Sequence, residues 1–235
     1  MKSSISIVLP AYNEEALIGR MLDHVVDVMS TNRFDYEILV VDDGSIDRTA
    51  ERVAGKTKTN PRIRLVRHET NRGCGAAMFT GFAAAQKDLV FLTDADMQFD
   101  VSEIVSLLAV MDKADIAAGY RCPRRESLIR RINALGWHML VTVFFGKTAR
   151  DINCAFKLIR KPVIDAVKKD IISRGAMFSA EFLIRARRAG FVIENVPVRG
   201  HRPRTAGKAT GAHPAVIAKS LVELVRLRWT MHKTP

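Results

Sequence analysis

Hydrophobic residues follow two alternating rhythms along the first half of this 235-residue chain. Short solid runs at Ile5–Leu9, Glu37–Val41, Ile63–Val66, Leu89–Thr93 and Ile116–Gly119 have the length and composition of buried strands. Between them, apolar positions recur at helical spacing. Glu15–Met29 carries Leu17, Ile18, Met21, Leu22, Val25 and Val28, and Asp47–Lys56, Gly75–Ala85 and Val101–Met111 also read as helices. Apolar strands separated by helices imply a mostly parallel sheet covered on both faces. The second half carries fewer strand signals. Leu128–Phe145 reads as an apolar helix, Ser179–Ala189 as an amphipathic one, Val192–Pro197 as a strand and Arg199–Gly211 as a polar loop. Pro214–Trp229 reads as a final amphipathic helix. No internal repeat or domain boundary interrupts the pattern.

Ligands bind such sheets at the carboxyl ends of the strands. Here those ends carry Asn13-Glu14, Asp42-Asp43 and Asp94-Ala95-Asp96. Each alone reads as a turn or a helix cap, whereas three at one edge read as a site. Asp94 and Asp96, one residue apart, can grip a hard cation such as Mg²⁺ or Mn²⁺, and Gln98 can add a carbonyl oxygen. A metal there would neutralise a diphosphate leaving group. Asp42 or Asp43 offers an acceptor to a base N–H or a ribose hydroxyl, while Asp47 suits the cap of the next helix. The run Asn71-Arg72-Gly73-Cys74-Gly75-Ala76-Ala77 looks like a dinucleotide fingerprint. It follows the third strand, however, and Met78 replaces the last glycine. Its small residues either let backbone approach a ligand or pack a helix on the sheet.

The formal net charge of +12, much of it beyond Arg121, points to anionic partners: nucleic acid, anionic lipid or phosphorylated substrates. A basic surface protein binding nucleic acid or anionic membrane is the non-enzymatic reading. It lacks a helix-turn-helix, RNP or zinc-finger pattern, and the acidic strand ends oppose a phosphate backbone. Cys74, Cys122 and Cys154 form neither a CxxC pair nor a Cys/His cluster, which suggests a reducing compartment. The first apolar run is too short for a signal peptide. The longest charge-free apolar stretch, Ala134–Phe145, reaches roughly 18 Å as a helix, short of the roughly 30 Å bilayer core.

In order and spacing, Pro10-Ala11-Tyr12-Asn13-Glu14-Glu15, Val40-Val41-Asp42-Asp43-Gly44-Ser45 with Asp47 and Thr49, Asn71-Arg72-Gly73 with Gly75, and Asp94-Ala95-Asp96 resemble the inverting glycosyltransferase family 2. Within that family the chain is most similar to dolichol-phosphate mannose synthases and related polyprenyl-phosphate glycosyltransferases. The likeness runs on, more loosely, through Asp151–Lys157, Ser179-Ala180-Glu181, Arg202-Pro203-Arg204, Gly207 and Lys208. It implies an α/β GT-A fold in one catalytic domain, 1–235. Residues 1–120 would bind nucleotide sugar and metal, 121–212 would serve the acceptor, and 213–235 would form an amphipathic helix.

The resemblance also implies roles. Pro10, Ala11, Tyr12, Glu14, Asp42, Asp43, Gly75 and Asp94 would bind a GDP- or UDP-linked sugar. Asp94, Asp96 and Gln98 would hold Mg²⁺ or Mn²⁺. Arg121, Arg130, Arg204 and Lys208 would contact phosphates, with Asp96, Arg121 and Arg130 catalytic. Related synthases often have a serine where this chain has Ala134, so the usual acceptor-phosphate contact is altered. The expected reaction is inverting transfer of a hexose to a polyprenyl phosphate. A hydroxyl acceptor is the alternative, and it would require a base such as Glu181 or Asp151. The expected place is the cytoplasm, with a peripheral seat on the inner membrane face left open.

Overall fold

The computed structural model describes residues 3–122, 128–203 and 214–232. The strands are β1 (Ser4–Ala11), β2 (Asp35–Asp42), β3 (Ile63–Arg67), β4 (Leu89–Leu92), β5 (Ile116–Arg121), β6 (Lys157–Arg160) and β7 (Ile193–Val198). They form one sheet in the order β3-β2-β1-β4-β6-β5-β7. All pairings are parallel except those of β6, which runs antiparallel to both β4 and β5. The helices are α1 (Ile18–Thr31), α2 (Thr49–Thr59), α3 (Cys74–Ala84), α4 (Ile104–Leu108), α5 (Leu128–Phe145), α6 (Lys161–Val167), α7 (Phe178–Arg188) and α8 (Pro214–His232).

Alternation along each strand sends side chains to two cores. Ile5, Ile7 and Leu9 of β1 pack in one cluster with Met21, Leu22 and Val25 of α1. Val8, pointing the other way, joins Phe82 of α3, Phe178 and Phe182 of α7, and Leu224 and Leu227 of α8. Gly81 is what lets α3 lie so close, because a Cβ there would stand 2.3 Å from a Val8 methyl.

The predicted alternation of strands and helices holds, with local differences. The helix expected over Val101–Met111 is a 3-10 turn at Val101–Glu103 followed by the short α4. Both β6 and α6 escape the hydrophobic pattern. A four-residue strand bounded by Lys157 and Arg160 is too short to show a period, and the helix follows it with no loop.

That short strand matters for the site. Strands β1, β2, β4, β5 and β7 all end at one edge of the sheet, and antiparallel β6 begins there. The topology thus delivers Tyr12, Asp42, Asp94, Arg121, Lys157 and the stretch after Val198 to a common rim.

Candidate active site

One wall of the rim is built by the turns after β1 and β2, which are stitched together. Asn13 N donates to Ser45 Oγ at 2.9 Å, and Ile46 N donates to Asn13 Oδ1 at 3.0 Å. Glu14 N donates to Thr49 Oγ1 at 2.8 Å, and Glu15 N donates to Asp47 Oδ2 at 3.1 Å. Asp47 Oδ1 also accepts the Thr49 backbone N–H at the start of α2, as the sequence leads one to expect. Burial raises the Asp47 pKa, but the hydrogen bonds from Thr49 and Glu15 outweigh it and hold the carboxyl below its ordinary value. Ala11 and Glu14 are buried, Pro10 is half-buried, and Tyr12 is 37% exposed, with its ring accessible for stacking.

Asp42 and Asp43, neighbours in sequence, have different surroundings. Asp42 is fully buried; its Oδ1 accepts Ser45 N at 3.0 Å, and Arg67 Nε lies 3.1 Å from its Oδ2. Asp43 is engaged by a neighbouring loop. Its carboxylate accepts Arg72 N at 2.9 Å and Gly73 N at 2.8 Å, and His68 Nδ1 sits 2.7 Å away. At 2% exposure it fixes the Asn71–Gly73 loop. Gly44 makes the turn between these walls: its φ is +70°, and a Cβ would lie 2.4 Å from the Thr70 carbonyl carbon.

The floor is acidic. Asp94 is half-buried and Asp96 is 5% exposed. Between Asp96 and Gln98, Met97 adopts φ +61°, unusual for a residue with a side chain. This kink folds Gln98 N back onto Asp96 Oδ1 at 3.0 Å. Gln98 is also tied to the chain after β7: its Nε2 donates to the Arg202 carbonyl at 3.0 Å, and Arg202 N donates to the Gln98 carbonyl at 2.8 Å. Glu103 accepts the backbone N–H groups of Arg199 and Gly200. His201, buried, packs its ring 5.1 Å from that of Phe99. Among the described residues no cluster of three His, Cys, Asp or Glu side chains surrounds a metal position. Two carboxylates and an amide oxygen nonetheless suit Mg²⁺ or Mn²⁺, which take oxygen ligands and share substrate phosphates.

The far side is basic. Arg121 forms a two-pronged pair with Asp151, Nε to Oδ2 at 2.8 Å and Nη2 to Oδ1 at 3.0 Å. Beneath them Lys157, 2% exposed, donates Nζ to the carbonyls of Ile152 and Cys154. Burial pushes the Lys157 pKa down, against the charges of Asp151 and Asp94 nearby. Burial likewise pushes the Cys154 thiol up, to about 12, which makes it an inert core group. In the sequence, Lys157 is marked only as a lysine opening a short apolar run. Arg130 lies on α5, but its side chain is outside the described residues, as are Arg204 and Lys208.

Glu181 and Gly75 complete the frame behind the rim. Glu181 is wholly buried and accepts Ile172 N at 3.0 Å, Ser173 N at 2.7 Å and Arg185 Nε at 2.7 Å. With both oxygens occupied it does not present a base to a ligand. It shapes the loop whose Arg174 carbonyl accepts Ala76 N at 2.7 Å. Gly75 permits that contact, since a Cβ there would stand 2.3 Å from the Gly175 carbonyl oxygen. The close approach allowed by this glycine is therefore to backbone.

The model of the family described as glycosyl transferase family 2 matches residues 6–168, from β1 into α6. The chain belongs to that family. A relative, a dolichyl-phosphate beta-glucosyltransferase of Trichomonas vaginalis, is 32% identical over 209 residues, covering 83% of this chain and 64% of that protein. Another of the same description, from Saccharomyces cerevisiae, is 28% identical over 97% of this chain and 75% of its own length. The chain spans 62 to 64% of the length of the first Trichomonas relative and two others like it. Among solved structures, a glucosyl-3-phosphoglycerate synthase from Mycobacterium tuberculosis, in complex with Mn²⁺ and UDP-glucose, superposes with a TM-score of 0.70 at 20% identity. It covers 97% of this chain and 79% of that one, which establishes the GT-A-like fold.

Beside the rim of this family 2 chain, α5 and α8 pack on one another and on the core. Helix α5 divides its apolar residues between core and surface. Val141 is buried and Trp137, Phe144 and Phe145 pack inward, while Ile132, Leu135, Met139 and Val143 are at least 59% exposed. In α8, Leu224, Leu227 and Met231 are buried, but Val222, Val225 and Trp229 are at least 52% exposed. Among the described residues no helix is long and apolar enough to cross a membrane.

Proposed function

We propose that the chain transfers a hexose from a nucleotide-diphosphate sugar to a polyprenyl phosphate, with inversion, at a membrane surface. Family membership and the relatives' described activity on dolichyl phosphate support the reaction class. The observation that carries the choice of acceptor is the state of the two carboxylates suited to act as a base. Glu181 has both oxygens occupied, and Asp151 is clamped on Arg121. An acceptor hydroxyl would require a base, whereas a phosphate monoester is already anionic at neutral pH and attacks the anomeric carbon directly.

In this reading the stitched wall of Pro10–Glu14 and Asp42 receives the nucleoside, with Tyr12 stacking. Asp94, Asp96 and Gln98 hold Mg²⁺ or Mn²⁺, which when bound supplies positive charge to the departing diphosphate. Arg121 adds a fixed cation on the opposite side, so the protein's share of the work is positioning and charge stabilisation. The whole described chain acts as one catalytic domain, residues 1–120 for the donor and the later part for the acceptor. The exposed apolar faces of α5 and α8 rest on the lipid, bringing the rim to the acceptor phosphate.

The donor half of the proposal is tested by thermal stabilisation with nucleoside diphosphates and their sugars, each with Mn²⁺, Mg²⁺ or EDTA. A metal-dependent upward shift confined to UDP or GDP compounds is expected. No shift with any nucleotide sinks the reading.

A further inference from the structure

We propose that the cleft between α8 and the chain joining α6 to α7 is a headgroup site, which takes the phosphate of an anionic phospholipid while the apolar stripe of α8 rests in the bilayer. The inference rests on the membrane seat in the function proposed above. It concerns a different surface from the rim, because none of the residues proposed there to meet donor, metal or acceptor lines the cleft.

The cleft encloses about 200 Å³. It is lined by Arg72 from the loop before α3, Arg174 from the chain after α6 and Arg226 of α8. One carboxylate, Glu223, stands against them, because the other, Glu181, is already matched by Arg185 at 2.7 Å. The excess of positive charge fits an anion, and arginine is the side chain best shaped for phosphate oxygens.

The floor is set before any ligand arrives. Arg174 Nη1 donates to the carbonyls of Ile171 and Ser173 at 2.8 and 3.1 Å, and its guanidinium lies 3.9 Å from the Phe79 ring centroid. Glu181 holds the same chain through Ile172 N and Ser173 N. Helix α8 forms the facing wall: a Cβ at Gly175 would lie 3.7 Å from Glu223 Oε1. Arg72 and Arg226, by contrast, are exposed, and long exposed side chains can swing onto a ligand.

The surroundings decide for a lipid over a soluble anion. Val222, Val225 and Trp229 follow one another on α8 at spacings of three and four, and they are 69%, 52% and 70% exposed. At about 100° per residue, Arg226 falls between this stripe and the wall made by Glu223 and Leu227. Ile172, 44% exposed, also lines the cleft. A phosphate held among the arginines therefore carries its acyl chains past apolar side chains. Basic residues beside the apolar face of such a helix attract anionic lipid.

The test is co-flotation of the full chain with vesicles of phosphatidylcholine alone and with phosphatidylglycerol added, at fixed salt. Arg72→Gln with Arg226→Gln is compared with Arg52→Gln and Lys58→Gln together, which remove the same charge from α2 on the other face of the sheet. The cleft pair is expected to lose at least about tenfold in affinity for phosphatidylglycerol vesicles and nothing for neutral ones. The control pair should lose less than about threefold, because salt screens distant charges. Arg226→Gln alone carries the test if the cleft pair unfolds. Equal losses in the two pairs, or a loss on neutral vesicles, overturn the inference. So does thermal stabilisation by glycerol phosphate that the cleft pair abolishes while its vesicle binding is unchanged, which makes the cleft a site for a soluble anion. In detergent the cleft pair should transfer hexose to polyprenyl phosphate at the wild-type rate; a fall there assigns the cleft to the acceptor and overturns the inference too. If the wild type transfers nothing in detergent, the functional reading falls while flotation still decides this inference. A wild type that floats with no vesicle overturns this inference and leaves transfer to be judged in detergent.

Discussion

The walls of the rim and the helices beside it are built on opposite plans. Around β1 and β2 the loop polar groups are tied to one another: Asn13 to Ser45 and Ile46, Glu14 to Thr49, Asp43 to the Arg72–Gly73 backbone. Along α5 and α8, large apolar side chains such as Val143 and Trp229, 79% and 70% exposed, face outward from the described residues. The first plan suits a rigid, soluble donor that needs fixed hydrogen-bond partners. The second suits a greasy acceptor that diffuses in two dimensions and needs a surface more than a pocket. On the function proposed above, the contrast teaches that the two substrates are served by different physical means within one fold.

The most severe way to break the donor side is at its floor. Asp96→Ala should lower kcat by about 10³-fold or more, since it removes charge control over the leaving group, while the melting temperature stays near that of the wild type. Activity within tenfold of the wild type in a radiolabel transfer assay would remove Asp96 from the metal site.

Next in size is the buried support. Lys157→Met keeps the bulk but strands the carbonyls of Ile152 and Cys154, each unsatisfied buried group costing about 1–3 kcal/mol. Denaturant unfolding should show the loss as a lower midpoint, and an unchanged midpoint would remove Lys157 from the buried support.

On the acceptor side, Leu135→Glu with Met139→Glu should weaken flotation with vesicles by tenfold or so, each buried methylene being worth about 0.8 kcal/mol. Stability should barely move, because both side chains are already exposed. Unchanged flotation would mean that another surface meets the lipid.

The smallest effect is at the stitched turn. Asp47→Ala should cost about 1 kcal/mol, as lost caps do. The folded-state pKa of Asp47 is lowered, so its contribution is present above the unfolded value of about 3.9 and is lost as pH falls through the folded value. The variant should therefore show a shallower fall in stability below about pH 4 than the wild type.

Much of this plan was legible in the sequence because strands are periodic and because Asp42, Asp94 and Asp96 sit directly after apolar runs. The same reading could not separate Asp42 from Asp43, since adjacent carboxylates look alike until their hydrogen-bond partners are in place. The structural role of Glu181 was hidden for a related reason. Its partners at Ile172 and Ser173 offer only backbone N–H groups, which no residue code announces. The support through Lys157 was hidden because β6 is too short to carry a pattern. Along α5, periodicity located the helix, but the division between buried Val141 and exposed Val143 depends on what packs beside it.

The central claim is that this fold hands a hexose to a polyprenyl phosphate lying in a bilayer. It is tested most directly by incubating the full chain with radiolabelled UDP- and GDP-hexoses, Mn²⁺, and vesicles with and without polyprenyl phosphate, alongside soluble sugar acceptors. The account predicts label in the lipid fraction only when polyprenyl phosphate is present, lost on adding EDTA. Label on a soluble hydroxyl acceptor, with none in the lipid, would contradict it.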